Sequence, residues 1–108
     1  MDFYAYQLKA QGTAIYPNEA KVTYPALGLA GEAGEVANQV KKIIRDDGGQ
    51  LTTERANKII DELGDCLWYI AAIASDLNIS LDAVATGNLL KLAQRKASNE
   101  LQGDARQA

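Results

Sequence analysis

The sequence predicts an all-α fold, a four-helix bundle, and three observations support this prediction. No stretch alternates polar and apolar residues with the period of two that is typical of a half-buried strand. Only two prolines occur, Pro17 and Pro25, and nothing after Pro25 forbids long helices. With 108 residues, 47% apolar and 23% charged, the chain suffices for one domain spanning residues 1–108 and is too apolar for a disordered protein.

Four helical segments are expected, each bounded by a capping residue or a break. They run from about Asp2 to Thr13, from Tyr24 or Pro25 to about Arg45, from the Thr52-Thr53 cap to about Leu77, and from Leu81 to about Glu100. Gly48-Gly49 is the clearest interior break, and Ser80 is the predicted N-cap of the last helix.

The second and third helices each carry an apolar stripe at helical spacing. The stripes are Leu29, Ala33, Val36, Val40 and Ile43, and Ile59, Leu63, Cys66, Ile70, Ile73 and Leu77. The third helix is also apolar on its opposite side, through Ile60, Gly64, Trp68 and Ala71. Because a helix that is apolar all round must be covered all round, we expect homo-oligomerisation to complete the bundle. The alternative is that Trp68 packs under the N-terminal segment.

The composition excludes several classes of site and partner. The chain has no histidine and one cysteine, Cys66, which excludes Ser-His-Asp and Cys-His catalysis, an internal disulfide and Cys-rich metal sites. The net charge of −3 offers no basic excess for nucleic acid. The longest apolar run, Cys66 to Ala74, is about half of the ~20 residues that a membrane span needs. With no signal peptide expected and a free cysteine, we predict a cytoplasmic protein without nucleic-acid or membrane partners.

Two acidic pairs at i,i+3 spacing are the most informative feature: Glu32 and Glu35 on the second helix, and Glu62 and Asp65 on the third. At about 100° per residue, the members of each pair fall roughly 60° and 120° from their apolar stripe, in the same sense. In an antiparallel hairpin closed at Gly48-Gly49, such offsets point into one groove. The two pairs also lie level along the hairpin, with Glu35 opposite Glu62 and Glu32 opposite Asp65. The four carboxylates are therefore expected to converge.

Such a convergence of charge needs protons or a cation. Two unit charges 4 Å apart repel by ~4 kcal/mol at an effective dielectric of about 20, and no Lys or Arg of the two helices is expected among them. Oxygen ligands suit hard ions, so we expect Mg²⁺ as the cofactor, with Mn²⁺ as a substitute. The alternative is that these residues form ordinary solvated helix faces.

Two further features point to a phosphorylated ligand. Asn88, Lys91 and Arg95 recur at i, i+3 and i+7 on the last helix and form a stripe of donors suited to phosphate oxygens. A solvated basic face is the alternative, but Mg²⁺ takes ligands from substrate phosphates as well as from protein. Tyr69, one turn past Asp65, could stack on a base or pack between helices.

Three glycines interrupt the second helix in a G-x-x-G-x-x-G pattern: Gly28, Gly31 and Gly34. The pattern is not a dinucleotide-binding fingerprint, because no strand precedes it. Each glycine costs ~1 kcal/mol of helix stability relative to alanine. We therefore expect the close approach of another backbone or of substrate.

At these residues the sequence resembles the small single-domain branch of the MazG-like all-α nucleotide pyrophosphohydrolases. Residues 27–36, LGLAGEAGEV, resemble the family's first metal motif, and residues 62–72, ELGDCLWYIAA, resemble its second. Residues 79–84 and 88–95 resemble its last helix. The family often has a glutamate directly before its first metal pair, where this chain has Gly31, and this difference leaves the number of metal ions open.

The resemblance implies Mg²⁺-dependent cleavage of (deoxy)nucleoside triphosphates between the α and β phosphates, by homodimers or homotetramers, giving monophosphate and pyrophosphate. It implies that Glu32, Glu35, Glu62 and Asp65 are metal ligands and that Lys91 and Arg95 contact phosphate. A carboxylate not fully used by metal, Glu35 or Glu32, would be the base. A dUTPase-like or diphosphate-cleaving specificity on the same scaffold, and a non-catalytic helical binding module, are the alternatives.

Overall fold

The computed structural model describes residues 1–98, in which four α-helices follow one another without any strand. The helices are α1 (Phe3–Gln11), α2 (Thr23–Asp46), α3 (Thr53–Asp76) and α4 (Leu81–Ala97). A short 3-10 helix, Asn18–Ala20, lies between the first two α-helices. The all-α prediction is confirmed, and the predicted end of the last helix near Glu100 lies outside the described residues.

Three of the helices begin at a side-chain cap. Asp2, Thr52 and Ser80 each accept a hydrogen bond from the backbone N–H three residues on, at 2.8, 3.0 and 3.0 Å. These bonds satisfy N–H groups that have no partner within the helix. The caps predicted at Thr52 and Ser80 are therefore present, whereas Asp2 caps the first helix instead of belonging to it.

Helix α2 begins instead at a strained turn that the end of α3 holds in place. Val22 has a φ of 66°, which is unusual for a β-branched residue, and Thr23 N–H donates to the Lys21 carbonyl at 2.7 Å across it. The Val22 N–H and the Tyr16 hydroxyl both donate to one carboxylate oxygen of Asp76, each at 2.8 Å. Asp76 thereby ties residues 16–22 to the carboxyl end of α3.

Helices α2 and α3 form the antiparallel hairpin on which the expected site depends. They are joined at Gly48 and Gly49, whose φ angles of 64° and 78° lie in the left-handed region that favours glycine. The Gly49 N–H donates to the Ile43 carbonyl at 2.9 Å and closes the end of α2. Helix α1 packs on α3 and α4, and the directions of α3 and α4 differ by 101°.

The core within one chain is small. Its buried apolar residues are Ala10, Pro25, Ala71, Ala72, Ala74 and Leu81. In contrast, Leu27, Ile44 and Ile60 are exposed by 71%, 78% and 60%. Much of the apolar surface of the α2–α3 hairpin is therefore uncovered in a single chain.

Part of the second apolar side of α3 is nevertheless covered within the chain. The Trp68 indole N–H donates to the Thr13 hydroxyl at 2.8 Å, and Trp68 packs on a cluster that contains Ala10 and Ala71. The alternative for Trp68, packing under the N-terminal segment, is thus the arrangement observed. Ile60 and Gly64, on the same side of α3, remain exposed.

No helix among residues 1–98 is by itself long and apolar enough to cross a membrane. Helices α3 and α4, taken together as a bent pair, do meet the length and composition of a broken span.

Candidate metal centre

Three of the four predicted carboxylates come together on the α2–α3 hairpin. One oxygen from each of Glu32, Glu62 and Asp65 lies within 4.8 Å of the others. Glu62 and Asp65 are neighbours on one face of α3 because they are three residues apart, and Glu32 faces them from α2. Glu32 and Glu62 are half-buried, while Asp65 is exposed.

Glu35 does not join this compact group. Glu62 and Asp65 both lie close to Glu32, whereas Glu35 is not part of the group whose oxygens all lie within 4.8 Å of one another. Its side chain is exposed. Its charge nonetheless acts on the group, since it contributes to the raised pKa of Glu62. Three of the four predicted carboxylates therefore form the compact group, and Glu35 lies near enough for its charge to raise the pKa of Glu62.

The electrostatics of the group show the expected mutual repulsion. The pKa of Glu62 is raised, first because its carboxyl shares a hydrogen bond with Glu32, then by desolvation, and then by repulsion from Glu32, Asp65 and Glu35. No basic side chain among the described residues contributes to this shift. The group therefore favours a proton or a cation between its oxygens.

Cys66 borders the group but does not offer a thiolate. Its pKa is raised by burial and then by the negative charges of Glu32, Glu62 and Asp65. A thiol that remains protonated at neutral pH is a poor metal ligand. The donors in this place are consequently carboxylate oxygens.

These donors fit a hard divalent cation. Mg²⁺ prefers oxygen ligands in an octahedron at about 2.0–2.1 Å, so ligands on opposite sides of the ion are about 4.2 Å apart. A group whose oxygens all lie within 4.8 Å has nearly this size. Three side chains also leave coordination positions for water and for a substrate's phosphate oxygens.

Tyr69 packs between the two helices of the hairpin, which is one of the two roles predicted for it from the sequence. Its ring lies against Gly28, where an added Cβ would come within 2.1 Å of a ring carbon. The close approach expected at the glycines thus occurs at Gly28 and is made by a tyrosine side chain, not by a backbone. Gly31 and Gly34 have no neighbour within 4 Å of such a Cβ in the described chain.

Two residues of the donor stripe on α4 line a groove that residues of α1, α3 and α4 form. Asn88 and Lys91 line a groove together with Phe3, Leu67 and Ile70. Within residues 1–98, no hydrogen bond or ion pair joins the stripe, including Arg95, to the three carboxylates.

A polar cluster that was not predicted from the sequence lies two helical turns from the carboxylates. The Arg55 guanidinium donates to both carboxylate oxygens of Asp47, at 2.8 and 3.3 Å, and to the Gln39 amide oxygen at 2.7 Å. Gln39 follows Glu32 by seven residues, and Arg55 precedes Glu62 by seven. This shared spacing of two helical turns is the signal that could have revealed the cluster.

Comparisons with known proteins identify the family of the chain. A family described as "MazG nucleotide pyrophosphohydrolase domain" matches residues 23–98, which include all four predicted carboxylates. The "Gene 37 protein" of Mycobacterium phage L5 is 44% identical over 104 residues, covering 91% of each chain. No solved structure matches the chain significantly. Domains of this family depend on a divalent metal, which the acidic group could hold. The chain therefore belongs to the MazG nucleotide pyrophosphohydrolase domain family.

Proposed function

We propose that this protein hydrolyses (deoxy)nucleoside triphosphates at the bond between the α and β phosphates, with Mg²⁺, and releases monophosphate and pyrophosphate. The observation that carries this proposal is the convergence of Glu32, Glu62 and Asp65 within 4.8 Å, inside the segment that matches the family. Carboxylates so close together, with no neighbouring cation from the described chain, favour a divalent ion and the phosphates it attracts.

The four carboxylates have different roles in this proposal. Glu32, Glu62 and Asp65 would hold Mg²⁺, or Mn²⁺ in its place, and the ion would neutralise phosphate charge and orient a water molecule. Glu35 and Glu32 are the two candidates for the base that accepts the water's proton. The geometry favours Glu35, because it stands outside the compact group and its carboxylate is free of the hydrogen bond that Glu32 shares with Glu62.

Residues outside the acidic group would bind the remainder of the nucleotide. Lys91 and Arg95, with Asn88 beside them, would stabilise the departing pyrophosphate, since cationic donors suit its developing negative charge. Tyr69 is the candidate for contact with the base.

We also propose that the active form is a homodimer or homotetramer. The Cα radius of gyration is 16.7 Å, whereas a compact domain of about 100 residues has roughly 13 Å. Exposed apolar side chains on α2 and α3, including Leu27, Ile44 and Ile60, would be buried against a second copy. Light scattering coupled to gel filtration measures the mass directly, and a monomer at micromolar concentration would contradict this part of the proposal.

One assay tests the proposed activity. The purified protein is incubated with Mg²⁺ and a panel of nucleoside tri- and diphosphates, and the products are resolved by chromatography. We expect monophosphate and pyrophosphate from triphosphates, with turnover lost in Glu62→Gln and retained in the control Asp61→Asn, an exposed neighbour outside the acidic group. Release of inorganic phosphate alone, cleavage of diphosphates only, or no turnover would each overturn the proposal.

A further inference from the structure

The cluster of Arg55, Gln39 and Asp47 joins three parts of the hairpin. Asp47 is the C-cap of α2, Gln39 lies in the body of α2, and Arg55 lies in the first turn of α3. The Arg55 and Asp47 side chains are only 11% and 15% exposed. In the other two ion pairs of the described residues, both side chains are more exposed, at 41% or above. The Arg55 cluster is therefore the one partly buried ionic contact of residues 1–98.

The position of Arg55 is itself fixed by local structure. Its backbone N–H donates to the Thr52 side chain that caps α3, and its guanidinium binds the Asp47 carboxylate with two nitrogens. A two-pronged contact of this kind sets the direction of the planar guanidinium. The remaining terminal nitrogen then meets Gln39 at 2.7 Å across the helix interface.

Arg55 and Gln39 occupy the same face of the hairpin as the carboxylates. Gln39 follows Glu32 by seven residues on α2, and Arg55 precedes Glu62 by seven residues on α3. Seven residues are two helical turns, or about 10.5 Å along the axis of each helix. On the other side of the acidic group, one turn away, Tyr69 packs against Gly28. The carboxylates therefore lie between two cross-hairpin contacts.

The acidic group needs such contacts. Like charges on facing helices push α2 and α3 apart at the height of Glu32, and the described chain places no cation there to oppose this. Helices are stiff over two turns, so a contact at Gln39–Arg55 limits how far the carboxylates can separate.

We propose that Arg55, held by Asp47 and bonded to Gln39, is a positioning residue that keeps Glu32 opposite Glu62 and Asp65 at the spacing a divalent ion requires. The inference rests on the proposed metal site and adds to it a determinant outside the ligands. Arg55 touches neither metal nor substrate in this role; it acts through the separation of the two helices.

Calorimetric titration of the intact protein with Mn²⁺ tests the inference, because it measures metal affinity without turnover. In Arg55→Met and in the milder Gln39→Leu we expect binding weakened by about 10-fold or more, the range found when outer contacts of metal ligands are lost. Arg55→Lys keeps the charge but not the planar two-pronged contact, so we expect only partial recovery of affinity.

Two controls separate positioning from general stability. Arg45→Met removes the exposed pair with Asp46 and is expected to leave Mn²⁺ affinity unchanged. Leu81→Ala removes a buried side chain at the start of α4 and is expected to lower the melting temperature without changing Mn²⁺ affinity. If Leu81→Ala weakened Mn²⁺ binding as much as Gln39→Leu does, the effect would follow from stability and the inference would be wrong.

The outcome distinguishes the two proposals. If the wild-type protein binds no Mn²⁺, the metal site itself is refuted and the positioning role with it. If the wild type binds Mn²⁺ and the folded Gln39→Leu variant binds it equally well, the metal site stands and only the role of Arg55 is refuted. Circular dichroism establishes that each variant is folded before titration, and Gln39→Leu keeps the Arg55–Asp47 pair intact should Arg55→Met fail to fold.

Discussion

The ring of Tyr69 lies directly against the backbone of Gly28 on the facing helix, and it occupies the space that a methyl group at residue 28 would need. Gly28 is one turn from Glu32, and Tyr69 is one turn from Asp65. The absence of a side chain at Gly28 therefore sets how closely α2 approaches α3 next to the carboxylates.

Gly28→Ala is expected to destabilise the protein although alanine is the better helix former. Crowding against the Tyr69 ring costs about 1–3 kcal/mol, against which the gain in helix propensity is at most ~1 kcal/mol. Thermal unfolding measures the difference. Gly31→Ala is the matched control: with no neighbour within 4 Å, it should stabilise the chain by up to ~1 kcal/mol. A stabilised Gly28→Ala variant would contradict the observed packing.

Glu62→Gln should raise the stability of the metal-free protein at neutral pH. The pKa of Glu62 is raised by its hydrogen bond with Glu32, by desolvation and by the neighbouring carboxylates. Protonated Glu62 therefore stabilises the fold at pH values below the usual pKa of 4.5, and this stabilisation is lost as the pH rises through the raised pKa. At pH 7 the ionised group thus weakens the fold, and a neutral amide removes this effect. Melting in a chelator at pH 7 tests the prediction.

The same variant should lose most of the stabilisation that Mg²⁺ gives the wild type. A ligand that binds only the folded state raises the melting temperature, and Glu62→Gln removes one donor from the group of three. Asp61→Asn, on the neighbouring exposed position, should keep the full metal-dependent shift. An unchanged shift in Glu62→Gln would remove Glu62 from the ligands.

Asp76→Ala should loosen the segment before α2. It removes the acceptor of two hydrogen bonds, from Tyr16 and Val22, and leaves the Val22 N–H in its strained turn without a partner. Tyr16→Phe loses only the first bond and should cost about 0.5–1.5 kcal/mol, with Asp76→Ala costing more. Chemical denaturation measures both, and equal losses would contradict the role of Asp76 at Val22.

Titration of the tyrosines by ultraviolet absorbance gives an independent test of Asp76. The pKa of Tyr16 is raised to about 12 by burial, by its hydrogen bond to Asp76 and by the charges around it. In Asp76→Ala this pKa should fall toward 10.0 but not reach it, because the largest cause, burial, remains. A pKa that stays near its wild-type value would show that Asp76 does not hold the phenol.

The Asp47–Arg55 pair predicts a loss of stability in acid. The hydrogen bond from Arg55 is the largest cause that lowers the pKa of Asp47 below its usual 3.8. Its stabilisation is therefore complete above about pH 4 and disappears as pH falls through the lowered pKa. Asp47→Asn should be less stable than the wild type at pH 7 and should lose less stability below pH 4. Asp46→Asn, in an exposed pair with Arg45, should change this profile much less.

The sequence by itself determined the helices, the hairpin and the acidic group, because these depend on short-range rules. Caps at Thr52 and Ser80 and the glycine pair at 48 and 49 fix helix ends locally. Once α2 and α3 are antiparallel, helical periodicity is enough to place Glu32, Glu62 and Asp65 in one groove.

Only the tertiary structure decided the exact register and what lies around the group. Periodicity specifies a face to within a turn, and it did not show that Glu32, Glu62 and Asp65 form the compact group without Glu35. The ring of Tyr69 against Gly28, the indole of Trp68 on Thr13, and Arg55 reaching Gln39 depend on side-chain directions and long-range packing. Such contacts form only when distant segments meet at a particular distance and angle.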